Sequence, residues 1–388
     1  MEGWIKLIHE TIKGVDISML KEVESLGGEY FINNKNTDIF DILRVNGINV
    51  IRLRLWVDPY DEKGAPYLGG TNDLNTTIEL AKRAKAQNMS FMLNLHYSDF
   101  WTDPKKQTKP KEWASLTGEA LINKVYDYTK NVLQICRDND VMPDYIQIGN
   151  EITNGMLWPE GKTPTYLFEE RKFEDEVDEK NERSYYNLAQ LLKAGIRATR
   201  EMSSPKHLKI ILHLDFGGAN DLYRRWFDEI SKYALDYDII GLSYYPYWHG
   251  NLNELKFNLD DIAQRYSKDV LVVETAYAFT DEAPANEDSI FNKELADIAG
   301  YSPSVQGQKA FLYDVMKTIQ NVNGPHYKGL GIVYWEPAWL PLKGTSWSSL
   351  EGMKYGNDMA NTGNHWANQG LFDFNGNALD SLKVFNDF

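Results

Sequence analysis

The 388-residue sequence contains one cysteine, Cys136. No disulfide can form within the chain, so cysteine usage says nothing about redox compartment. Cys136 closes an apolar, helix-spaced stretch at 132–136 and reads as a small buried apolar residue. The seven histidines are scattered without an HxxxH spacing, which argues against a catalytic zinc site. No apolar run approaches the roughly 20 residues needed to cross a bilayer, so no membrane role is expected. Residues 1–10 lack the charged-then-apolar pattern of a signal segment. The expectation is a secreted protein whose signal peptide is absent from this sequence, with a cytoplasmic protein as the alternative. Positive charge is in deficit: 41 Lys and Arg against 56 Asp and Glu give a net charge of −15. That disfavours nucleic acid, which needs clustered Lys and Arg, and equally a polyanionic substrate. A neutral partner is unaffected. No Pro/Gly/Ser-rich linker and no repeat of fixed period divides the chain, so residues 1–388 are read as one domain.

Aromatic residues are plentiful, at 13% with 11 Trp. Many of the Trp lie in loop-like segments rather than in apolar runs, and indole faces stack on the apolar faces of sugar rings. Short β-type runs at 14–18, 50–56, 90–96, 144–150, 208–214, 238–244, 269–274 and 329–335 alternate with helically spaced stretches. The helical stretches are 73–87, 118–138, 182–202, 219–234, 252–266 and 304–321, with a last helix at 378–388. This alternation is the sequence form of an α/β protein built as a single (β/α)8 (TIM) barrel. A doubly wound sheet is the competing architecture, but residues 15–19 carry no Gly-rich phosphate turn. The long segments after the strands hold most of the Trp, Tyr and Pro and are expected to be βα loops over the C-terminal face. The acidic tract 169–183 reads as a solvated loop running into a helix.

Two of the runs end on a glutamate: Ile148, Gly149 and Asn150 lead into Glu151, and Leu271, Val272 and Val273 lead into Glu274. A carboxylate at the end of an apolar strand is costly to bury without a partner or a task. Two of them, similarly placed, suggest a pair meeting across one site. Facing carboxylates are the minimal equipment for cutting a glycosidic bond, with a separation of about 5–5.5 Å in a retaining enzyme. One protonates the leaving oxygen and the other attacks the anomeric carbon. Asn150 is placed to hold a sugar hydroxyl beside Glu151, and Arg and Tyr donors would keep Glu274 charged. This favours Glu151 as the acid and Glu274 as the nucleophile, with the reverse order left open.

Other strand-end residues extend the candidate site. Arg52, Arg54 and Trp56 share one side of their strand, and buried arginines need an anionic partner. Asn94 and His96 share a side of the next, close to Asp99 and Trp101. Tyr244 ends the sixth run, where its hydroxyl could reach the nucleophile. Trp335 and Trp339 suggest an aromatic platform. Glu336 is a third carboxylate nearby, and Asp16 and Asp215 are further candidates for substrate contact.

Taken together, the motifs resemble glycoside hydrolase family 53, the arabinogalactan endo-β-1,4-galactanases. The stretches that carry this are GVDISML at 14–20, RLRLWVDP at 52–59, LHYSDFWTDP at 95–104 and QIGNEITNGMLWPEG at 147–161. They continue with GLSYYPYWHG at 241–250, VVETAYAFT at 272–280, YWEPAWLP at 334–341 and NQGLFDFNG at 368–376. They occur in order along nearly the whole chain. The resemblance implies a retaining enzyme with Glu151 as acid/base and Glu274 as nucleophile. It implies a neutral β-1,4-galactan as substrate and no cofactor for the chemistry. It also implies a structural calcium between the loops after the seventh and eighth strands, for which Asp281, Asn286, Asp288 and Asn292 supply oxygen ligands. The segment 281–292 lacks the histidine that the family pattern carries there. A xylanase or mannanase of the same clan is the nearest rival, and a non-catalytic carbohydrate-binding barrel is the rival from another class.

Overall fold

The computed structural model describes residues 11–388, apart from 168, 175–178, 205, 206 and 286 and the side chains of 179–184. Eight parallel strands close into a barrel. They are β1 (Ile12–Asp16), β2 (Val50–Leu55), β3 (Ser90–Leu95), β4 (Tyr145–Ile148), β5 (Lys209–Leu214), β6 (Ile239–Ser243), β7 (Asp269–Thr275) and β8 (Gly329–Trp335). Each pairs with its sequence neighbours, and β1 closes the ring by pairing with both β8 and β2. The helices on the outside are α1 (Ile39–Val45), α2 (Leu74–Ala86), α3 (Gly118–Asp138), α4 (Glu179–Met202), α5 (Asn220–Ser231), α6 (Leu252–Tyr266) and α7 (Val305–Gln320).

These positions agree with the sequence reading to within a few residues, with two exceptions. Helix α1 was not anticipated: its seven residues are too short to show a helical period. The expected final helix is instead a 3₁₀ segment, Asp380–Asp387, packed against α7. Helix α3 buries Leu121, Val125, Val132, Leu133 and Cys136 on one face, as its spacing requires. Burial pushes the Cys136 thiol up to about 12, so it is an inert core residue. The acidic tract 169–183 lies partly outside the described residues.

Inside the barrel the lower layers are apolar. Ile12, Val50, Met92, Ile211, Ile239, Leu271, Val273 and Val333 form a separate apolar cluster there. Above it, toward the C-terminal ends of the strands, the inward residues turn polar: Asp16, Arg52, Arg54, Asn94, Gln147, His213 and Ser243 are all buried. Burying so many polar groups is tolerable only if each is paired. That layer is the floor of the site.

Candidate active site

Two local backbone features bring the glutamates over this floor. At the end of β4, Gly149 has φ +86 and a Cβ there would sit 2.6 Å from Ile152 Cγ2, so only glycine fits. Glu151 itself adopts a left-handed conformation at φ 46, uncommon for a residue with a side chain and typical of functional positions. On β7, strict alternation from Leu271 and Val273 would send Glu274 outward. The register with β6 slips, pairing Leu242 with Val272 but Ser243 with Glu274. This irregularity turns Glu274 back to the inside, a known use of bulges at barrel rims.

Both glutamates line an open cleft of about 410 Å³. Arg52 is the fork beneath them. Its Nη2 donates to Glu274 Oε1 at 2.6 Å and to Asn150 Oδ1 at 3.1 Å. Its Nη1 donates to Asp16 Oδ2 at 2.7 Å and its Nε to Gln147 Oε1 at 2.6 Å. Arg54 donates through Nη1 to Glu336 Oε1 at 2.5 Å, and its guanidinium lies 4.3 Å from the Trp101 ring centroid. On the other side, Ser243 Oγ donates to Glu151 Oε1 at 2.6 Å.

The electrostatics separate the pair. Burial pushes Glu151 well above the usual carboxylate range, and the charges of Glu274 and Asp215 push it further; only the Ser243 hydroxyl opposes them among its leading influences. Burial also raises Glu274, but Arg52 is the next largest influence and pulls it back, ahead of the opposing push from Asp16. The first proton taken up by the pair therefore belongs on Glu151. A carboxyl pushed strongly toward its protonated form, beside one whose charged form an arginine supports, is the asymmetry that acid-assisted displacement needs.

Of the expected contacts, Arg52, Arg54, His96, Trp101, Asn150, Trp335 and Trp339 line the cleft with the two glutamates. Asn150 Oδ1 accepts from Arg52 and from Asn94, one amide N–H goes to the Thr102 carbonyl, and the other has no partner among the described residues. His96 is held neutral: burial, then Arg54 and Arg52, drives its pKa well below the ordinary value. The indole N–H groups of Trp339 and Trp366 are buried and have no hydrogen-bond partner among the described residues.

Other expectations need correction. Tyr244 does not reach the site: Ser243 points inward, so Tyr244 points out, and its ring stacks on Phe311 of α7. Its neighbour Tyr245 is the tyrosine beside the pair; burial raises its pKa, followed by the charge of Glu274. Asp16 and Glu336 are fully buried below the cleft as anchors for Arg52 and Arg54, and Glu336 also accepts from the Met19 amide at 3.1 Å. Trp56 is fully buried behind Trp101, 5.1 Å between centroids, rather than presented to the cleft. Asp215 is buried behind Glu151, where it accepts from the Thr153 hydroxyl. Thr102, Asp103, Lys106, Trp347, His365 and Trp366 also form the cleft wall, without a signal in the sequence. They come from loops, where no period marks the inward face.

The calcium expectation does not fit the described residues. Asn286 lies outside them. Asn292 is committed to capping the short helix Lys293–Ala299, accepting from the Leu295 amide at 3.1 Å. Asp281 is exposed, and Asp288 accepts from Asn361 at 3.3 Å. Among the described residues no three His, Cys, Asp or Glu converge on a common point. The two loops are pinned directly instead. The Ile290 amide donates to the His365 carbonyl at 2.9 Å, and Asn368 Nδ2 donates to the carbonyls of Thr280 and Phe291, each at 3.1 Å.

Comparison with known proteins gives the family of the chain. Residues 12–385 match the model of glycosyl hydrolase family 53. The chain is 40% identical to an uncharacterised protein of Niallia circulans, over 96% of this chain and 93% of that one. It is 37% identical to the endo-β-1,4-galactanase of Bacillus subtilis (strain 168), over 96% and 85%. In three dimensions it is similar to the GH53 catalytic domain of Ignisphaera aggregans, with a TM-score of 0.86, 39% identity and coverage of 97% and 95%. With a family match over nearly its whole length and relatives at this identity, the chain belongs to glycosyl hydrolase family 53.

Proposed function

We propose that this chain is an endo-β-1,4-galactanase that cleaves the galactan chains of type I arabinogalactan with net retention. Glu274 is the nucleophile and Glu151 the acid/base. The observation that carries this reading is the unequal support of two carboxyls facing one cleft: an arginine on Glu274 and a hydroxyl on Glu151. In the first step Glu274 attacks the anomeric carbon while Glu151 gives its proton to the leaving oxygen, so the glycosidic bond breaks and a galactosyl ester forms. In the second step Glu151, now a carboxylate, takes a proton from water. The water oxygen attacks the anomeric carbon and Glu274 is released. The remaining N–H of Asn150 suits the 2-hydroxyl, and Trp101, Trp335 and Trp339 suit sugar faces.

A neutral polymer is compatible with a net charge of −15, which would repel an anionic one. Among the described residues no helix is long and apolar enough to cross a membrane. Because a polysaccharide does not pass a bilayer, the activity belongs outside the cell. Incubation with β-1,4-galactan, xylan and mannan, with products resolved over time, tests the substrate and the mode. Early mixtures of several lengths from galactan alone are expected. Cleavage of xylan or mannan instead overturns the substrate, and release of one short product overturns endo action. Azide tests the roles: Glu151→Ala should yield the β-galactosyl azide and Glu274→Ala the α-azide, and swapped products would reverse the labels.

A further inference from the structure

The two steps above leave a buried imidazole without a task. His213 is fully buried at the next-to-last position of β5. Its Nδ1 receives the Gln147 side-chain N–H at 3.0 Å and lies 3.3 Å from the Glu151 backbone N–H. Both are donors, so Nδ1 is the acceptor and the ring proton sits on Nε2. Nε2 lies 2.8 Å from Ser243 Oγ and therefore donates to it. That leaves the single Ser243 hydroxyl proton to point at Glu151 Oε1. Upstream, Gln147 Oε1 accepts from Arg52 Nε, which orients the amide so that its N–H faces His213. The chain of donors runs one way, from Arg52 through Gln147, His213 and Ser243 to Glu151. The same guanidinium binds Glu274 at its other end.

We propose that His213 and Ser243 are positioning residues that keep a hydrogen-bond donor fixed on Glu151 Oε1 and so ready its carboxylate to act as the base of the second step. This rests on the reading of Glu151 as acid/base. The donor occupies Oε1, so the transferable proton of the first step is carried on Oε2. A neutral imidazole suits the task, since it passes on orientation without adding a charge. Burial, then Arg52 and the neighbouring His96 and His249, hold the ring well below its ordinary pKa. The charged and titratable groups facing Glu151 are Glu274 from β7, Asp215 after β5 and Asp103 after β3, with the phenols of Tyr245 and Tyr223 nearby. All three carboxylates favour the protonated form, and Ser243 is the group among these that favours the charged one. Without it, Glu151 would hold its proton too firmly to serve as a base.

The test is the pH dependence of kcat/KM and the rate of the second step in Ser243→Ala, Ser243→Cys and His213→Gln. The alkaline limb of kcat/KM reports loss of the proton from the free enzyme's acid. Removing the hydroxyl should move that limb upward by about one to two pH units, the size of one hydrogen bond to a charged group. Ser243→Cys, a weaker donor, should fall between wild type and Ser243→Ala. With an aryl β-galactoside of good leaving group, Ser243→Ala should accumulate galactosyl-enzyme, and azide should relieve the accumulation. His213→Gln keeps a donor near Ser243 and should show a smaller shift than Ser243→Ala. An alkaline limb that stays in place in Ser243→Ala, with activity lowered equally at every pH, overturns the proposal in favour of a packing role. Should Ser243→Ala not fold, an unmoved limb in Ser243→Cys has the same force. Failure of the underlying reading looks different: Glu151→Ala would then give no β-azide whatever the limb does.

Discussion

Arg52 is where the arrangement can be tested most severely. The substitution is Arg52→Lys, which keeps the charge and removes the fork. Arg52 makes side-chain hydrogen bonds to Gln147, Asp16, Asn150 and Glu274 at 2.6, 2.7, 3.1 and 2.6 Å, from three different nitrogens. A lysine presents its donors from one atom and cannot span two carboxylates and two amides at once. It keeps one ionic contact, and Asp16, fully buried on the floor, is the deeper of the two candidates. A charge-assisted hydrogen bond contributes about 1.5–3 kcal/mol and a neutral one about 1 kcal/mol. Loss of the Glu274 bond and one amide bond therefore removes roughly 2.5–4 kcal/mol. At about 1.4 kcal/mol per decade this is a fall of about 10²–10³ in kcat/KM. The pH profile must change as well. Burial raises Glu274 and Arg52 is the largest influence opposing it. Glu274 attacks only when ionised, so weakening Arg52 raises its pKa and moves the acidic limb of kcat/KM to higher pH. The assay is kcat/KM for a galacto-oligosaccharide across pH, with a thermal melt to establish folding. A folded variant within tenfold of wild type, its acidic limb unmoved, would refute the role given to this arginine.

Three further outcomes follow from the same geometry. Tyr244→Phe should leave activity unchanged and stability equal or higher, because the Tyr244 hydroxyl is buried without a partner among the described residues, whereas Tyr245→Phe should lower kcat/KM; steady-state kinetics of the two variants separates them. Glu151→Gln should melt higher than wild type near neutral pH and equally near pH 4. The folded protein holds the Glu151 proton that the unfolded chain releases above the ordinary carboxyl range, so ionisation disfavours folding there, and an equal melt at both pH values would sink this sign. A chelator should leave the melting temperature and the galactanase rate unchanged, since Asp281, Asp288 and Asn292 do not converge; a drop of several degrees restored by calcium would show that the loops close on an ion.

How far the molecule was legible beforehand depends on the kind of signal. The eight strands could be read because parallel strands buried on both faces are continuous apolar runs, and amphipathic helices separate them. The same property hid which side of each strand faces inward. On β6, Ile239 through Leu242 are apolar or small on both sides, so nothing distinguishes Ser243 from Tyr244 as the inward residue. Chemistry alone favours Tyr244, and the barrel places Ser243 there instead. On β7 the alternation itself misleads, since the irregular pairing with β6 turns Glu274 inward beside Val273. Glu274 was still recognisable because a charge ending an apolar run is conspicuous whatever its parity. His213 carried the same signal within Lys209–Leu214, a polar residue in an apolar strand, and could have been found by it. Trp347, His365 and Trp366 could not, because a loop has no period to read.

The arrangement also explains how one chemistry is drawn from two identical carboxyls. Neither Glu151 nor Glu274 is special by residue type, and burial pushes both the same way. The difference lies in what each meets on the floor. Glu274 meets a full positive charge that Asp16 and Gln147 hold in place. Glu151 meets the end of a neutral chain of donors, with Asp215 and Glu274 as negative neighbours. Both supports begin at Arg52. When Glu274 forms its ester it loses its charge, and the repulsion that held a proton on Glu151 weakens. At that moment Glu151 has to give up being an acid and become a base. The donor from Ser243 favours the same change, so the two effects act together in the second step. In the first step they oppose one another. A floor built only to hold Glu151 protonated would speed bond breaking and stall hydrolysis of the ester; the buried hydroxyl is what keeps both steps within reach of one residue.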